Sequence, residues 1–161
     1  MTNALSKHDI QDWLRGNPWT FHLVIDPADL RRASDDRALK ALRIMNYELC
    51  RQLLGRYFRQ MQLDERFHWV GFFQGSRDAG TRHLHVLIHV PERLRPSTPF
   101  AALKLKSAIQ TAWLCARDRV GPPLIWVRAI QDDGDSRSVA TYVSRHCSVA
   151  AWNEKDVHFS H

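Results

Sequence analysis

Histidines in one short hydrophobic run are the residues of this 161-residue chain whose spacing most directly suggests chemistry. His83, His85 and His89 alternate with other side chains between Thr81 and Val90, a period of two that is typical of a β-strand. On a strand these histidines share one face, and the opposite face is entirely apolar. The first two imidazoles could bind one metal ion between them. A strand with histidines at its solvent edge would show the same pattern, so the pair alone does not establish a metal site.

A second group of reactive side chains lies near the C-terminus. Tyr142, Arg145 and His146 fall within a segment whose pattern predicts a helix over residues 136–148, with Asp135 or Ser136 as its N-cap. Residues three and four apart are neighbours on a helix surface. A phenol, a guanidinium and an imidazole would therefore lie together. The structural alternative is that the tyrosine ring packs on a sheet while its two neighbours are solvated.

The elements that must position these groups can be read from hydrophobic periodicity. Runs of aromatic and β-branched residues predict strands at 19–25, 67–74, 81–90 and 124–130. Two long helices are predicted, one capped by Ser34 and one over about residues 98–118. Their expected buried positions are Leu39, Leu42, Met45, Leu49, Leu53 and Tyr57 in the first, and Leu103, Ile109, Trp113 and Leu114 in the second.

This order predicts an α+β fold of the ferredoxin-like or RRM-like kind. The elements run β-α-β-β-α-β, which gives an antiparallel sheet with helices packed on it, and an extra C-terminal helix carries Tyr142. We expect a helical lead-in at 1–18, one domain at 19–150 and a polar, loosely held tail at 151–161.

Composition narrows the class of protein. Lysine and arginine number 23 against 17 acidic residues, for a formal charge of +6, which suggests a polyanionic partner. The basic residues of the first long helix and the segment after it are interpreted as a solvated face; they are Arg37, Lys40, Arg43, Arg51, Arg56 and Arg59. The cysteines are few and contain no C-x-x-C pair, which argues against a disulfide framework or a thiolate zinc site. With no signal pattern or membrane-length apolar run, we expect a cytoplasmic protein.

The two motifs, on elements in this order, resemble those of the HUH endonucleases. His83-Leu84-His85 matches the His-hydrophobic-His metal motif of that family, and Tyr142-Val143-Ser144-Arg145 matches its Tyr-x-x-Lys motif with arginine in place of lysine. The strand at 21–25 stands where the family has its first conserved strand. The resemblance covers about residues 19–148 and is nearest to the single-tyrosine rolling-circle replication initiators, or Rep proteins.

The resemblance implies a sequence-specific endonuclease and strand transferase for single-stranded DNA. Such an enzyme nicks DNA through a 5′-phosphotyrosine intermediate and leaves a free 3′ hydroxyl, which initiates rolling-circle replication. Tyr142 would be the nucleophile, with Arg145 in an electrostatic role because arginine does not shuttle protons. His83 and His85 would bind Mg²⁺ or Mn²⁺, which polarises the scissile phosphate.

Two residues are candidates for a third metal ligand, and two arginines are candidates for DNA contacts. Gln74 ends the second strand, where a hairpin would bring its amide opposite His83, and many Rep-type relatives have a glutamate at the corresponding place. His146 is the alternative ligand. We expect Arg82 and Arg128 to contact DNA.

Two other functions fit parts of the pattern. A single-strand insertion-sequence transposase of the HUH type takes a metal ligand four residues after its tyrosine, where this chain has His146. A non-catalytic RRM-like module would stack bases on sheet aromatics, but adjacent Phe72 and Phe73 should face opposite sides. The expected partner is single-stranded DNA or an origin hairpin. The chain has no G-x-x-x-x-G-K-[ST] motif, so unwinding would need a separate helicase.

Overall fold

An antiparallel sheet organises the part of the chain that the computed structural model describes, namely residues 7–30, 34–76, 78–118, 120–145 and 157–159. The elements are α1 (Lys7–Gly16), β1 (Phe21–Ile25), α2 (Asp35–Leu54), β2 (His68–Gln74), β3 (His83–His89), α3 (Pro99–Ala116), β4 (Ile125–Ala129), α4 (Asp133–Arg145) and β5 (Val157–Phe159). The strands lie in the order β4-β1-β3-β2-β5, and each neighbouring pair is antiparallel. The α+β class predicted from the sequence is confirmed.

The short strand β5 was not expected. It pairs with the outer edge of β2, with Val157 opposite Phe72 and Phe159 opposite Val70, although the sequence predicted a loosely held tail there. Three residues are too few to give a periodic signal, and the pairing is made possible by the otherwise open edge of β2.

One face of the sheet is buried beneath α2 and α3. Alternate residues of β1 and β3, among them Leu23, Leu84 and Val86, are completely buried against helix residues such as Met45 and Trp113. Alternation along each strand places the intervening residues on the opposite face. The larger apolar core is thus on the side of the sheet away from the histidine pair.

The other face is covered in part by α1 and α4, which pack on each other. Leu14 of α1 and Val143 of α4 are completely buried with Phe72 and Leu87 of the sheet. The Gln11 side-chain amide also donates to Ser144 Oγ at 3.3 Å. The N-terminal helix therefore helps to hold the helix that carries the tyrosine.

Helix α2 begins as predicted but ends earlier. Ser34 caps it by accepting a hydrogen bond from Arg37 N at 3.2 Å. Its predicted buried positions through Leu49 are confirmed. Leu53, in the last turn of the helix, is instead 38% exposed. Tyr57 is 57% exposed, because the helix stops at Leu54 before Gly55, whose φ is +87°.

The predicted buried face of α3 is wrong at two positions. Leu103 and Leu114 are 58% and 43% exposed. The buried stripe consists of Leu105, Ile109, Ala112 and Trp113. Apolar residues occur around much of this helix, so periodicity alone did not select the face that the sheet buries.

Helix α4 begins three residues before its predicted start. The carboxylate of Asp132 accepts a hydrogen bond from Asp135 N at 2.8 Å, so Asp132 acts as the cap in place of the predicted Asp135 or Ser136. Asp135 instead binds the guanidinium of Arg128 at 2.8 Å. Within the described ranges, no helix combines the length and apolar character needed to cross a membrane.

A buried carboxylate fixes strand β4 to the rest of the fold. Asp29 is completely buried and accepts hydrogen bonds from Trp113 Nε1 at 2.6 Å, Arg117 Nη1 at 2.8 Å and Leu124 N at 3.1 Å. These donors belong to α3, to the segment that follows it and to the entry of β4. Asp29 therefore determines where the edge strand lies.

We expect Asp29→Ala to lower the free energy of unfolding by about 3–5 kcal/mol, because it leaves the Arg117 guanidinium buried without its counter-charge. Glu48→Ala, which removes the partner of the exposed Arg51, should cost under about 1 kcal/mol. Urea denaturation of both variants measures the difference. Equal losses would show that Asp29 does not hold the fold in this way.

Candidate functional site

The predicted histidine pair lies on the sheet face shared with α1 and α4. The ring centroids of His83 and His85 are 4.8 Å apart; the first ring is half-buried and the second is buried. Nδ1 of His83 lies 2.8 Å from the carbonyl oxygen of Thr81. A carbonyl only accepts hydrogen bonds, so Nδ1 carries the proton and Nε2 is the nitrogen of His83 that can coordinate a metal.

The β2–β3 hairpin sets the position of that ring. Gly75 has a φ of +78°, and a Cβ there would lie 2.1 Å from the Thr81 carbonyl oxygen, the same atom that orients His83. A side chain at Gly75 would therefore displace the acceptor that holds the imidazole.

Gln74 lies where the sequence predicted it, directly opposite His83 in the strand register. Its side chain is buried, and Nε2 donates to the carbonyl of Val143 in α4 at 3.4 Å. The amide nitrogen thus makes the hydrogen bond to α4, and the amide oxygen is the atom suited to bind a hard cation. The ligand role of Gln74 stays a prediction.

A third imidazole, His22 of β1, joins the site. Its Nε2 lies 2.9 Å from Nδ1 of His85, and its side chain is buried. No role was predicted for His22 from the sequence. Alternation could have found it, because the apolar set Phe21, Leu23 and Ile25 forces His22 onto the other face.

Burial is the main reason that the pKa of His22 is lowered, to about 4. The nearby Arg128 guanidinium contributes to this lowering of the pKa, and the Asp135 carboxylate partly opposes both effects. His22 is therefore neutral at pH 7, and its Nε2 can accept a hydrogen bond from His85. If His85 donates its Nδ1–H to His22, its own Nε2 carries a lone pair for a metal ion.

Helix α4 brings Tyr142 to the same place. The Tyr142 ring centroid lies 5.7 Å from that of His85 and 6.5 Å from that of His22, and the side chain is 49% exposed. The phenol therefore packs beside the imidazoles and also faces solvent. Arg145 is exposed in the last described turn of α4, and His146 lies outside the described residues.

These groups border a cleft of about 420 Å³. Trp126 of the edge strand β4 forms one wall, with half of its surface exposed and its ring centroid 5.7 Å from that of His22. Its role was missed, although alternation with Ile125 and Val127 indicates the same face. The full lining is His22, Val24, His85, Trp126, Arg128, Asp135, Ser138, Val139 and Tyr142.

Of the two predicted DNA contacts, the structure brings only Arg128 to the cleft. The Arg82 guanidinium binds the Asp35 carboxylate at 2.9 Å and lies 4.8 Å from the centroid of the Phe73 ring. Phe73 belongs to the core beneath α2 and α3. Arg82 immediately precedes His83, so its side chain points to the opposite side of the strand.

His68 and His89, which the sequence analysis left out of the metal set, form a separate pair. They are opposite each other in the β2–β3 register and stack with ring centroids 4.3 Å apart. Burial lowers the pKa of both imidazoles, that of His68 to about 4. They lie at the other end of the hairpin from Gln74 and His83.

The side chains near Tyr142 could bind a divalent cation only by combining imidazole nitrogens with an amide oxygen. Among the residues that the structure describes, no three His, Cys, Asp or Glu side chains are grouped to hold a metal. Two imidazoles and the Gln74 amide oxygen make a neutral set, and it would leave coordination positions for substrate oxygens. Imidazole is softer than oxygen, so such a set suits Mn²⁺ better than Mg²⁺.

The low pKa of His22 predicts an acid-sensitive fold. Between about pH 6.5 and pH 4 the unfolded chain binds a proton at this histidine and the folded chain does not, so stability falls as pH falls. We expect His22→Gln to reduce the stability lost between pH 7 and pH 5 by on the order of 2 kcal/mol, measured by urea denaturation. His8→Gln, an exposed substitution in α1, should leave the loss unchanged. The same pH dependence in His22→Gln and in the unchanged protein would contradict the assignment.

Comparison with known protein families, curated proteins and solved structures gives no match for this chain. The chemistry of the cleft is therefore deduced from its own side chains. Those side chains place a phenol, two hydrogen-bonded imidazoles and an exposed indole around one concave surface.

Proposed function

We propose that this protein is a metal-dependent, single-tyrosine endonuclease and strand transferase of the HUH type, which nicks single-stranded DNA to initiate rolling-circle replication. The observation that supports this most strongly is the packing of Tyr142 beside His85, with ring centroids 5.7 Å apart. The two residues are 57 positions apart in the chain and come from the two motifs that the family combines. We also infer a ferredoxin-like arrangement, which the strand order β4-β1-β3-β2 favours.

In the proposed reaction the Tyr142 oxygen attacks the scissile phosphorus. A tyrosine O–P bond forms, the bond from phosphorus to the 3′ oxygen breaks, and that oxygen leaves as a hydroxyl after it gains a proton. The phenol proton passes to solvent, which the half-exposed side chain can reach. Arg145, three residues further along α4, would stabilise the negative charge that develops on the phenolate and phosphate.

His83, His85 and Gln74 would hold the divalent cation. When bound, it polarises the phosphodiester and offsets charge in the transition state. His22 acts through His85 as a positioning residue, because their 2.9 Å contact fixes the ring orientation and the tautomer. Such supporting hydrogen bonds are worth about 10–100-fold in metal affinity in other proteins.

The cleft also suits an unpaired strand. The exposed Trp126 ring can stack on a base without sequence preference, and the Arg128 guanidinium on the same wall can donate hydrogen bonds to a phosphate. The guanidinium of Arg128 is bound to Asp135 at 2.8 Å, so its position is fixed in the absence of DNA. The substrate would thus be single-stranded DNA or the loop of an origin hairpin. The proposal includes a cytoplasmic location and a separate helicase.

A non-catalytic RRM-like module fits the fold less well. Such modules use an open sheet face as a stacking platform. Here α1 and α4 cover much of the face that carries the histidines, and Phe72 and Leu87 are completely buried under them. Phe73 faces the opposite core, so the two adjacent phenylalanines form no joint platform.

We expect Tyr142→Phe to abolish the covalent protein–DNA adduct, with nicking reduced at least about 10³-fold, because the nucleophile is removed. The assay incubates the protein with Mn²⁺ and circular single-stranded phage DNA, and with labelled hairpins from plasmid origins and from transposon ends. Denaturing gels then detect adducts.

Tyr57→Phe, at an exposed tyrosine far from the cleft in sequence, is the control and should retain activity. An adduct formed by Tyr142→Phe would refute the assignment, and so would its absence from the unchanged protein on every substrate. Adducts restricted to transposon-end hairpins would indicate a transposase.

We expect His83→Ala and His85→Ala each to weaken Mn²⁺ binding at least about tenfold, because each removes one of the proposed ligands. Isothermal titration calorimetry without DNA measures the affinity. His68→Ala, at the other end of the hairpin, should bind Mn²⁺ as the unchanged protein does. Equal weakening by His68→Ala would show that His83 and His85 do not form the metal site.

A further inference from the structure

A second cavity, slightly larger than the cleft at about 470 Å³, lies on the other side of the sheet. Its walls are the middle of α2, residues 43–50, the turns at Phe58–Gln60 and Leu63–Glu65, and the beginning of β2. Trp69 lines it and belongs to the core beneath α2 and α3. The cavity is therefore separate from the site around Tyr142.

Positive charge is concentrated around this cavity. Its lining includes Arg43, Arg59 and Arg66 and contains no aspartate or glutamate. Within the described ranges none of these arginines takes part in an ion pair, whereas Arg51 of the same helix is bound to Glu48. Three uncompensated guanidinium groups around one concave surface repel one another, and an anion would relieve that repulsion.

The same cavity offers a flat surface, and one residue of its lining, Asn46, carries an unsatisfied oxygen. The Arg59 guanidinium lies 5.1 Å from the centroid of the Tyr47 ring, and that ring is 38% exposed. Asn46 donates from Nδ2 to the Phe67 carbonyl at 3.2 Å. Its Oδ1 is buried and has no hydrogen-bond partner among the described residues, so this oxygen lacks a donor.

We propose that this cavity binds a nucleoside phosphate. The Arg43 and Arg66 guanidinium groups contact the phosphate through charge-assisted hydrogen bonds. The base stacks on the planar surface made by Tyr47 and Arg59. The volume falls in the range of about 300–1,000 Å³ usual for small-molecule sites. The nucleotide is either free in solution or the exposed end of a DNA strand.

The test uses the full chain carrying Tyr142→Phe, in EDTA, so that the proposed cleavage of DNA does not take place. Isothermal titration calorimetry measures binding of dAMP, inorganic phosphate, deoxyadenosine and the oligonucleotide (dA)6. We expect dAMP to bind more tightly than phosphate or deoxyadenosine, since each of these lacks half of the contacts. Arg59→Gln and Arg66→Gln should each weaken dAMP binding about tenfold or more.

Arg56→Gln is the matched control. It removes the same charge from a neighbouring arginine that is exposed and stacks on Tyr57, with its guanidinium 4.6 Å from that ring centroid, and it should leave dAMP affinity unchanged. Tighter binding of (dA)6 than of dAMP, lost in Arg59→Gln, would identify the nucleotide as a strand end. Comparable or weaker (dA)6 binding would identify a free nucleotide.

Three results would overturn the proposal: no dAMP binding below about 1 mM, equal affinity for phosphate and dAMP, or equal weakening by Arg56→Gln and Arg59→Gln. The last would mean that general positive charge attracts the anion. Because no metal and no Tyr142 hydroxyl are present, any of these results leaves the endonuclease proposal intact.

Discussion

The central strand β3 is the constraint on which the site depends, because it is buried on both faces. Leu84, Val86 and Ile88 pack beneath α2 and α3, whereas Leu87 packs beneath α1 and α4. A shift of the strand register by one residue would exchange these two sets and drive the imidazoles into the larger apolar core. The two cores together therefore determine that the His83 and His85 side chains face α4.

Burial also determines the charge state of the cleft. The apolar surroundings keep His22 neutral, and a neutral imidazole can accept the hydrogen bond that orients His85. Two nearby charges, on Arg128 and Asp135, act on the pKa of His22 in opposite directions. They are bound to each other at 2.8 Å. The cleft thus combines the neutral His22 imidazole with a fixed and internally compensated charge pair. That combination suits a site in which the negative charge comes from the substrate.

Much of the fold followed from local pattern, and part of the site did not. Period-two alternation placed His83 and His85 on one face, and capping chemistry located the start of α2 at Ser34. The contact between His22 and His85 depends on β1 lying beside β3. The alternation of residues within one strand does not indicate which strand is its neighbour. The exposure of Leu103 in α3 has a similar cause, since the sheet selects which side of a broadly apolar helix is buried.

The central claim is that Tyr142 becomes covalently joined to DNA. Mass spectrometry of a trypsin- and nuclease-treated adduct tests this most directly, because cleavage after Arg137 and Arg145 releases a peptide of residues 138–145 in which Tyr142 is the one tyrosine. The account predicts that this peptide carries a nucleotide joined through its 5′ phosphate to the phenol oxygen. Attachment at another residue, or through a 3′ phosphate, would contradict it.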